Sequence, residues 1–343
     1  MKEKKRALEN FILENEDCLD DHLETLRAFS RSRGGLVDDG IRRIVWPVLA
    51  RNLQNAVDST PVPYDCDELS EEKLKAHKEW HQVELDVHRT LARFPRGVDD
   101  LCRMDLQAQL TPMIIKVISS RSGYQYYQGL HDVFLTLLLV VGREAAEEMG
   151  WHLGIFHDFL ALPLQDGVCK QLELIYVILS RADPELERIL RQAELGPIFA
   201  LSWPLTWFSH SLHSYDEIVR VFDVFLSSEP LLPIYLSAVC VLFRKNAVLK
   251  SEREMPILHQ ILGTLPKSLP IDSLVSDALY LTKLMPPVLL QGKFLNEYKE
   301  RTPNTPNIRP VISSISRYAV QMIFVAGAVS AAAGYYLFAK NLS

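Results

Sequence analysis

No two of the five cysteines form a C-x-x-C pair: Cys18, Cys66, Cys102, Cys169 and Cys240 lie far apart along 343 residues. That spacing excludes a cysteine-built zinc site or a dithiol redox centre, and it leaves core thiols of a cytosolic chain. Positive charge is short as well, with 37 Lys and Arg against 43 Asp and Glu and a net charge of −6. A nucleic-acid surface needs a concentrated basic field, so a nucleic-acid partner is not expected. The phosphate-binding and hydrolase signatures are missing: no Walker A, no GxGxxG after a strand, no HExxH and no GxSxG. A nucleotide, metal or serine-hydrolase site of its own is therefore not expected. His152 and His157 would diverge on a helix, and His210 and His213 lack a nearby ligand set, so all four read as structural. The opening MKEKKRALENFILENEDCLDD is charged throughout and has no apolar signal region. No stretch alternates polar and apolar residues as a half-buried strand would.

What the chain does have is helical periodicity and, at 48% hydrophobic residues, ample material for a core. Ala7, Leu8, Phe11 and Ile12, then Leu19, Leu23 and Leu26, predict two amphipathic helices that Gly34 and Gly35 end. Asp38 reads as the N-cap of a helix over Ile41–Ala50, which Pro47 should kink or shorten. Ser70 starts a long charged helix reaching about Phe94. Further helices are predicted over Cys169–Ser180, Pro184–Leu195, Ile198–Leu212, Ile218–Leu226, Leu232–Phe243, Met255–Leu265 and Ile271–Leu284. The fold class is all-α. An N-terminal helical extension over residues 1–33 precedes a helical domain over 34–285 and a proline-rich linker over 286–317.

From Tyr318 to Ala339 run 22 residues without a charge, between Arg317 and Lys340. At ~1.5 Å per residue this stretch covers about 33 Å, enough for a hydrocarbon core of ~30 Å. Tyr318, Tyr335 and Tyr336 fit an aromatic belt. Residues 318–339 are expected to be a single C-terminal transmembrane helix, a tail anchor in the lipid bilayer with the N-terminal domain cytosolic. A buried C-terminal helix is the alternative. Ala326, Ser330 and Gly334 form a small-residue stripe that allows helix–helix association in the membrane.

The stretch with chemical potential is Ser122–Val141, SGYQYYQGLHDVFLTLLLVV. Val133, Phe134, Leu137, Leu138 and Val141 recur with helical spacing, which puts Tyr126, Tyr127 and Gln128 at the mouth of a buried helix. A glutamine placed there can orient a water, or it can simply satisfy loop backbone groups. Upstream, the three-residue spacing of Asp86 and Arg89 lets the carboxylate hold the guanidinium in one rotamer. By itself such a pair also describes an ordinary surface ion pair.

Together these residues resemble the TBC domain of Rab GTPase-activating proteins. An I-x-x-D-x-x-R-T signature is matched by Val83, Asp86, Arg89 and Thr90, and Y-x-Q-G by Tyr126, Gln128 and Gly129. R-x-x-V-W-P-x-L is met by Arg42, Val45, Trp46, Pro47 and Leu49. W-x-L-T-x-F followed by R-x-x-D is met by Trp203, Leu205, Thr206, Phe208, Arg220 and Asp223. The signatures stand in family order over roughly Gly34 to Leu249; the departures, Val83 for the usual Ile and Leu130 for a frequent Met, are apolar exchanges. YYQGLHD, IFALSW and the expected tail anchor look most like the endoplasmic-reticulum branch.

The resemblance implies a TBC-type helical domain that inserts two fingers into a GTP-bound Rab GTPase. Arg89 would neutralise charge on the transferring phosphoryl group and Gln128 would position the attacking water. Asp86 and Tyr126 would steady the fingers, with Thr90 and Gly129 beside them in the same motifs. Arg42, Trp46, Pro47, Trp203, Arg220 and Asp223 would be structural. GTP and magnesium would belong to the Rab, leaving this chain no cofactor of its own. The implied setting is the early secretory pathway at the endoplasmic-reticulum membrane, with the mitochondrial outer membrane as the other destination that such an anchor suits. Two rival readings are a Rab-binding module that does not stimulate hydrolysis and a membrane-anchored helical adaptor.

Overall fold

The computed structural model describes residues 1–53, 70–91, 94, 95, 97–152, 157–162 and 167–302. Among them every regular element is a helix. The first nine are α1 (Lys2–Glu14), α2 (Leu23–Arg31), α3 (Asp39–Arg51), α4 (Glu71–Lys75), α5 (Trp80–Leu91), α6 (Asp100–Ser119), α7 (Leu130–Val141), α8 (Arg143–His152) and α9 (His157–Ala161). Next come α10 (Val168–Ala182), α11 (Pro184–Gln192), α12 (Ser202–Leu205), α13 (Tyr215–Phe225) and α14 (Leu232–Phe243). The last five are α15 (Lys245–Lys250), α16 (Met255–Gly263), α17 (Ile271–Leu284), α18 (Pro287–Leu289) and α19 (Leu295–Arg301).

The chain forms two compact units, one from Met1–Leu162 with Tyr215–Ser228, the other from the described residues of Pro163–Ser214 and Glu229–Ser343. In the first, α7 is apolar on nearly every side and is buried from Leu130 to Val141 except for a half-buried Leu139. Helices α3, α5, α6 and α8 pack around it, which is how a helix without a polar face is accommodated. α13 returns to this unit and packs on α2. In the second unit α14 takes the central place, against α10, α12 and α17.

Asp38 caps α3 as expected, its carboxylate accepting the Ile41 N–H at 3.1 Å. Pro47 does not shorten that helix, which runs on to Arg51. A proline in a helix interior costs ~3 kcal/mol, and here Val45, Trp46, Val48 and Leu49 bury enough apolar surface around it to offset that.

Two expected outlines change and one helix is new. The long helix from Ser70 is two helices, because the His77 ring Nδ1 accepts the Glu79 N–H at 3.2 Å and turns the chain between α4 and α5. The helix expected over Ile198–Leu212 is a 3₁₀ turn at Pro197–Ala200, then α12, then Trp207 and Phe208 at φ of 48° and 65°. Left-handed backbone at two bulky residues costs ~1–3 kcal/mol each. It is held there by complete burial of Trp203, Trp207 and Phe208, with Trp203 stacked on Phe208 and edge-on to Phe199, both at 5.8 Å. α6 has no counterpart among the expected helices: Pro112 lies inside it, while Asp99 caps its start through the Cys102 N–H at 2.8 Å.

Residues 286–317, read as a linker, include the helical run Pro287–Arg301, where Tyr298 is buried and donates to Glu187 Oε1 at 2.8 Å. The expected membrane span, 318–339, lies outside the described residues. Among those described, no helix is long and apolar enough to cross a membrane.

Candidate functional site

On α5 the inward face carries Val83, Asp86, Val87 and Thr90, all buried. Asp86 is 1% exposed whereas the Arg89 side chain, one turn on, is 52% exposed. The pair is thus a buried anion holding an exposed cation, with Arg89 Nη1 donating to Asp86 Oδ1 at 3.0 Å. A carboxylate taken out of water must be fully hydrogen-bonded. Oδ2 meets that demand by accepting Gln82 Nε2 at 3.0 Å and the Tyr126 hydroxyl at 3.2 Å. The ordinary surface ion pair is therefore not what this spacing produces here.

Tyr126 comes from the segment that leads into α7. Burial first, then the charges of Asp86 and Asp132, push its phenol well above the usual tyrosine range, so it remains a donor. Its hydroxyl also lies 2.6 Å from His131 Nδ1. The other ring nitrogen, Nε2, lies 3.0 Å from Thr90 Oγ1, and Thr90 in turn donates to Asp132 Oδ1 at 2.9 Å. Asp86, Thr90, Tyr126, His131 and Asp132 thus form one buried polar chain between α5 and the start of α7.

Gln128 sits on the same segment. The Gln125 N–H donates to the Leu160 carbonyl at 3.0 Å, and Tyr127 packs edge-on against Phe159 at 6.1 Å. Gly129 follows in the left-handed region at φ 111°, which lets the chain turn directly into α7. Gln128 Oε1 is buried and accepts no hydrogen bond among the described residues. Its carbonyl oxygen is therefore not occupied with loop backbone, and in this conformation it is closed off from solvent.

The remaining motif residues lie apart from these. Arg42 and Trp46 of α3 meet Asp223 of α13, which is fully buried. Burial lowers the tendency of Arg42 to hold its proton, but the Asp223 and Asp39 carboxylates outweigh it and the net shift is upward. Arg220 donates to the Ser30 and Ser32 carbonyls, both at 3.0 Å, closing the end of α2. Pro47 lies within α3, and Trp203 belongs to the aromatic cluster of the second unit. These residues hold segments together, and all but the half-buried Pro47 are buried.

The structure brings Asp86, Arg89, Thr90, Tyr126 and Gly129 into one network with Gln128 on its edge. Gln82, His131 and Asp132 were not singled out from the sequence. Gln82 could have been found, since it stands four residues before Asp86 on one helix face. His131 and Asp132 read as the first polar residues of an apolar helix, and nothing local marks them as partners of α5. Among the described residues no cluster of His, Cys, Asp or Glu is arranged to hold a metal. The site's chemistry is an exposed guanidinium tethered to a buried carboxylate, which suits stabilising negative charge.

The Rab-GTPase-TBC domain family model matches residues 39–249. The mouse protein TBC1 domain family member 20 is 39% identical over 288 residues, 83% of this chain and 69% of its own length. The GTPase-activating protein gyp10 of Schizosaccharomyces pombe is 30% identical over 264 residues, 76% of this chain and 68% of its own length. Among solved structures, the Ypt/Rab-GAP domain of Gyp1p superposes with a TM-score of 0.61 at 15% identity, covering 81% of this chain and 98% of that one. The Chlamydomonas flagellar RabGAP TBC domain gives 0.58 at 15% identity, covering 81% and 95%.

Proposed function

The chain belongs to the Rab-GTPase-TBC domain family, and from that premise we propose that it stimulates GTP hydrolysis by a GTP-bound Rab GTPase with Arg89 and Gln128 as its two fingers. The observation that carries this reading is the exposed Arg89 guanidinium fixed by a buried, fully hydrogen-bonded Asp86. Arg89 neutralises the charge that builds on the γ-phosphoryl and leaving-group oxygens, where an arginine supplied in trans is worth ~10³ to 10⁵ in rate. Gln128 accepts a hydrogen of the attacking water on Oε1, which has no partner among the described residues and is turned out of its buried position when the Rab docks. Asp86 and Tyr126 keep both groups in place. GTP and magnesium arrive with the Rab, so this chain supplies side chains only.

The same reading places the domain on the cytosolic face of a membrane, held by residues 318–339 as a tail anchor, with the small-residue stripe at Ala326, Ser330 and Gly334 available to a second helix. The endoplasmic reticulum is the destination that fits a role in the early secretory pathway. Resistance of the full chain to carbonate extraction, and digestion of its domain by protease added to intact vesicles, are the expected results. Imaging against endoplasmic-reticulum and mitochondrial markers decides between the two organelles.

Single-turnover GTP hydrolysis against a panel of Rab proteins tests the catalytic reading. Arg89→Ala abolishes stimulation, and Gln128→Ala slows it most on a Rab whose own glutamine has been replaced. Stimulation by wild-type protein that survives Arg89→Ala would show that the chain is not an arginine-finger activator. Binding of GTP-loaded Rab with no stimulation by the wild-type chain would make it the silent binding module instead.

A further inference from the structure

We propose that His131 is a positioning residue that holds the glutamine-bearing loop in register with the arginine-bearing helix. The proposal rests on the two-finger reading and adds to it the part that sets the fingers relative to each other. His131 is 4% exposed and lies in the first turn of α7. Its Nδ1 faces the Tyr126 hydroxyl at 2.6 Å and the Gly129 N–H at 3.4 Å, groups on either side of Gln128. Its Nε2 faces Thr90 Oγ1 at 3.0 Å, on the residue that follows Arg89. One rigid ring therefore ties the segment around Gln128 to the helix turn that carries Arg89.

The neighbouring donors assign the tautomer. A backbone N–H can only donate, so Nδ1 accepts from Gly129; Thr90 gives its own proton to Asp132, so Thr90 Oγ1 accepts from Nε2–H. The ring is thus oriented from behind by the Thr90–Asp132 pair and offers a lone pair forward to the loop. The one Tyr126 hydroxyl proton is shared in a three-centre bond between His131 Nδ1 at 2.6 Å and Asp86 Oδ2 at 3.2 Å, so the hydroxyl links the ring to the carboxylate.

The two fingers depend on His131 unequally. Without the ring, Asp86 still accepts from Gln82 and from Arg89, so the guanidinium keeps its tether. The loop loses the acceptor for Gly129 and the nearer of two partners for Tyr126. His131 therefore acts through Gln128 and hardly through Arg89.

The test is single-turnover hydrolysis by a Rab with the full chain in excess, comparing His131→Phe and His131→Asn with wild type, each also in a Gln128→Ala background. Phenylalanine keeps the ring volume and removes both nitrogens, while asparagine places its Oδ1 where Nδ1 was. His131→Phe should lower the maximal rate by about 10- to 100-fold, the usual effect of an ångström-scale misplacement. Its half-saturating concentration should stay unchanged, His131→Asn should recover most of the loss, and His131→Phe should add nothing once Gln128 is alanine. An equal slowing in the Gln128→Ala background, or a loss confined to Rab affinity, overturns the proposal. Should Gln128→Ala alone leave the wild-type rate untouched, the glutamine finger itself is wrong, and the proposal falls with it. Hydrogen exchange on the full chain supplies a readout independent of activity. His131→Phe should speed exchange across residues 126–129 and leave 82–89 as in wild type; unchanged exchange in 126–129 by a folded variant also overturns the proposal.

Discussion

Asp223 receives the Arg42 guanidinium through both carboxylate oxygens, Nε to Oδ1 and Nη2 to Oδ2, each at 3.0 Å. Trp46 Nε1 adds a bond to Oδ1 at 2.8 Å and the Leu36 N–H one to Oδ2 at 3.0 Å, so four donors meet a fully buried anion. Removing one member of such a pair strands a buried charge, which costs about 3–5 kcal/mol. Asp223→Ala should lower unfolding stability by that order in urea titration. The double variant Arg42→Met/Asp223→Leu should lose less than the single one, because no unpaired charge remains.

Arg89 and Asp86 should separate in their effects. Arg89→Lys keeps the charge but loses the planar fork that reaches two oxygens at once. It should reduce stimulated hydrolysis by at least ~10²-fold in a single-turnover assay, while the thermal midpoint stays within a degree or two, since the side chain is half exposed. Asp86→Asn leaves a donor facing Gln82 and Tyr126 in the buried site. It should cost about 1–3 kcal/mol of stability as well as rate.

Thiol reactivity offers a check on burial. Burial pushes the Cys169 and Cys240 thiols up to about 12, so neither forms thiolate near neutral pH, whereas Cys18 and Cys102 are exposed. Iodoacetamide at pH 8 should label Cys18 and Cys102 in the native chain, read by mass spectrometry, and reach Cys169 and Cys240 only after denaturation.

Acid should weaken the second unit through His259. Burial lowers its proton affinity, and Nδ1 has no hydrogen-bond partner among the described residues. The unfolded chain therefore binds this proton more readily than the folded one, and the associated stability is present above the unfolded value of ~6.5 and lost as pH falls below it. Thermal midpoints should fall between pH 7 and pH 5, and His259→Leu should flatten that slope.

Fold class and most helices were legible because apolar residues recur at helical spacing; α14 and α17 have the outlines that periodicity predicts, Leu232–Phe243 and Ile271–Leu284. The errors fall where a side chain competes with the backbone or where burial outweighs local preference. His77 takes a backbone donor and splits one helix, and buried aromatics hold Trp207 and Phe208 in left-handed backbone. At the site, the Asp86–Arg89 pairing was legible from its three-residue spacing, and the part of Tyr126 only from the family resemblance. The bond between His131 and Thr90 was not, because it joins residues 41 positions apart and leaves no periodic trace.

The bond from Arg89 Nη1 to a carboxylate that is itself fixed by Gln82 and Tyr126 has a consequence for recognition. A free surface arginine carries up to ~2 kcal/mol of rotamer entropy that any partner must remove on docking. Here much of that freedom is gone before a partner arrives, while half of the side chain still faces solvent. The loss is charged to folding rather than to the encounter, so a short-lived complex can find the guanidinium already in its working rotamer.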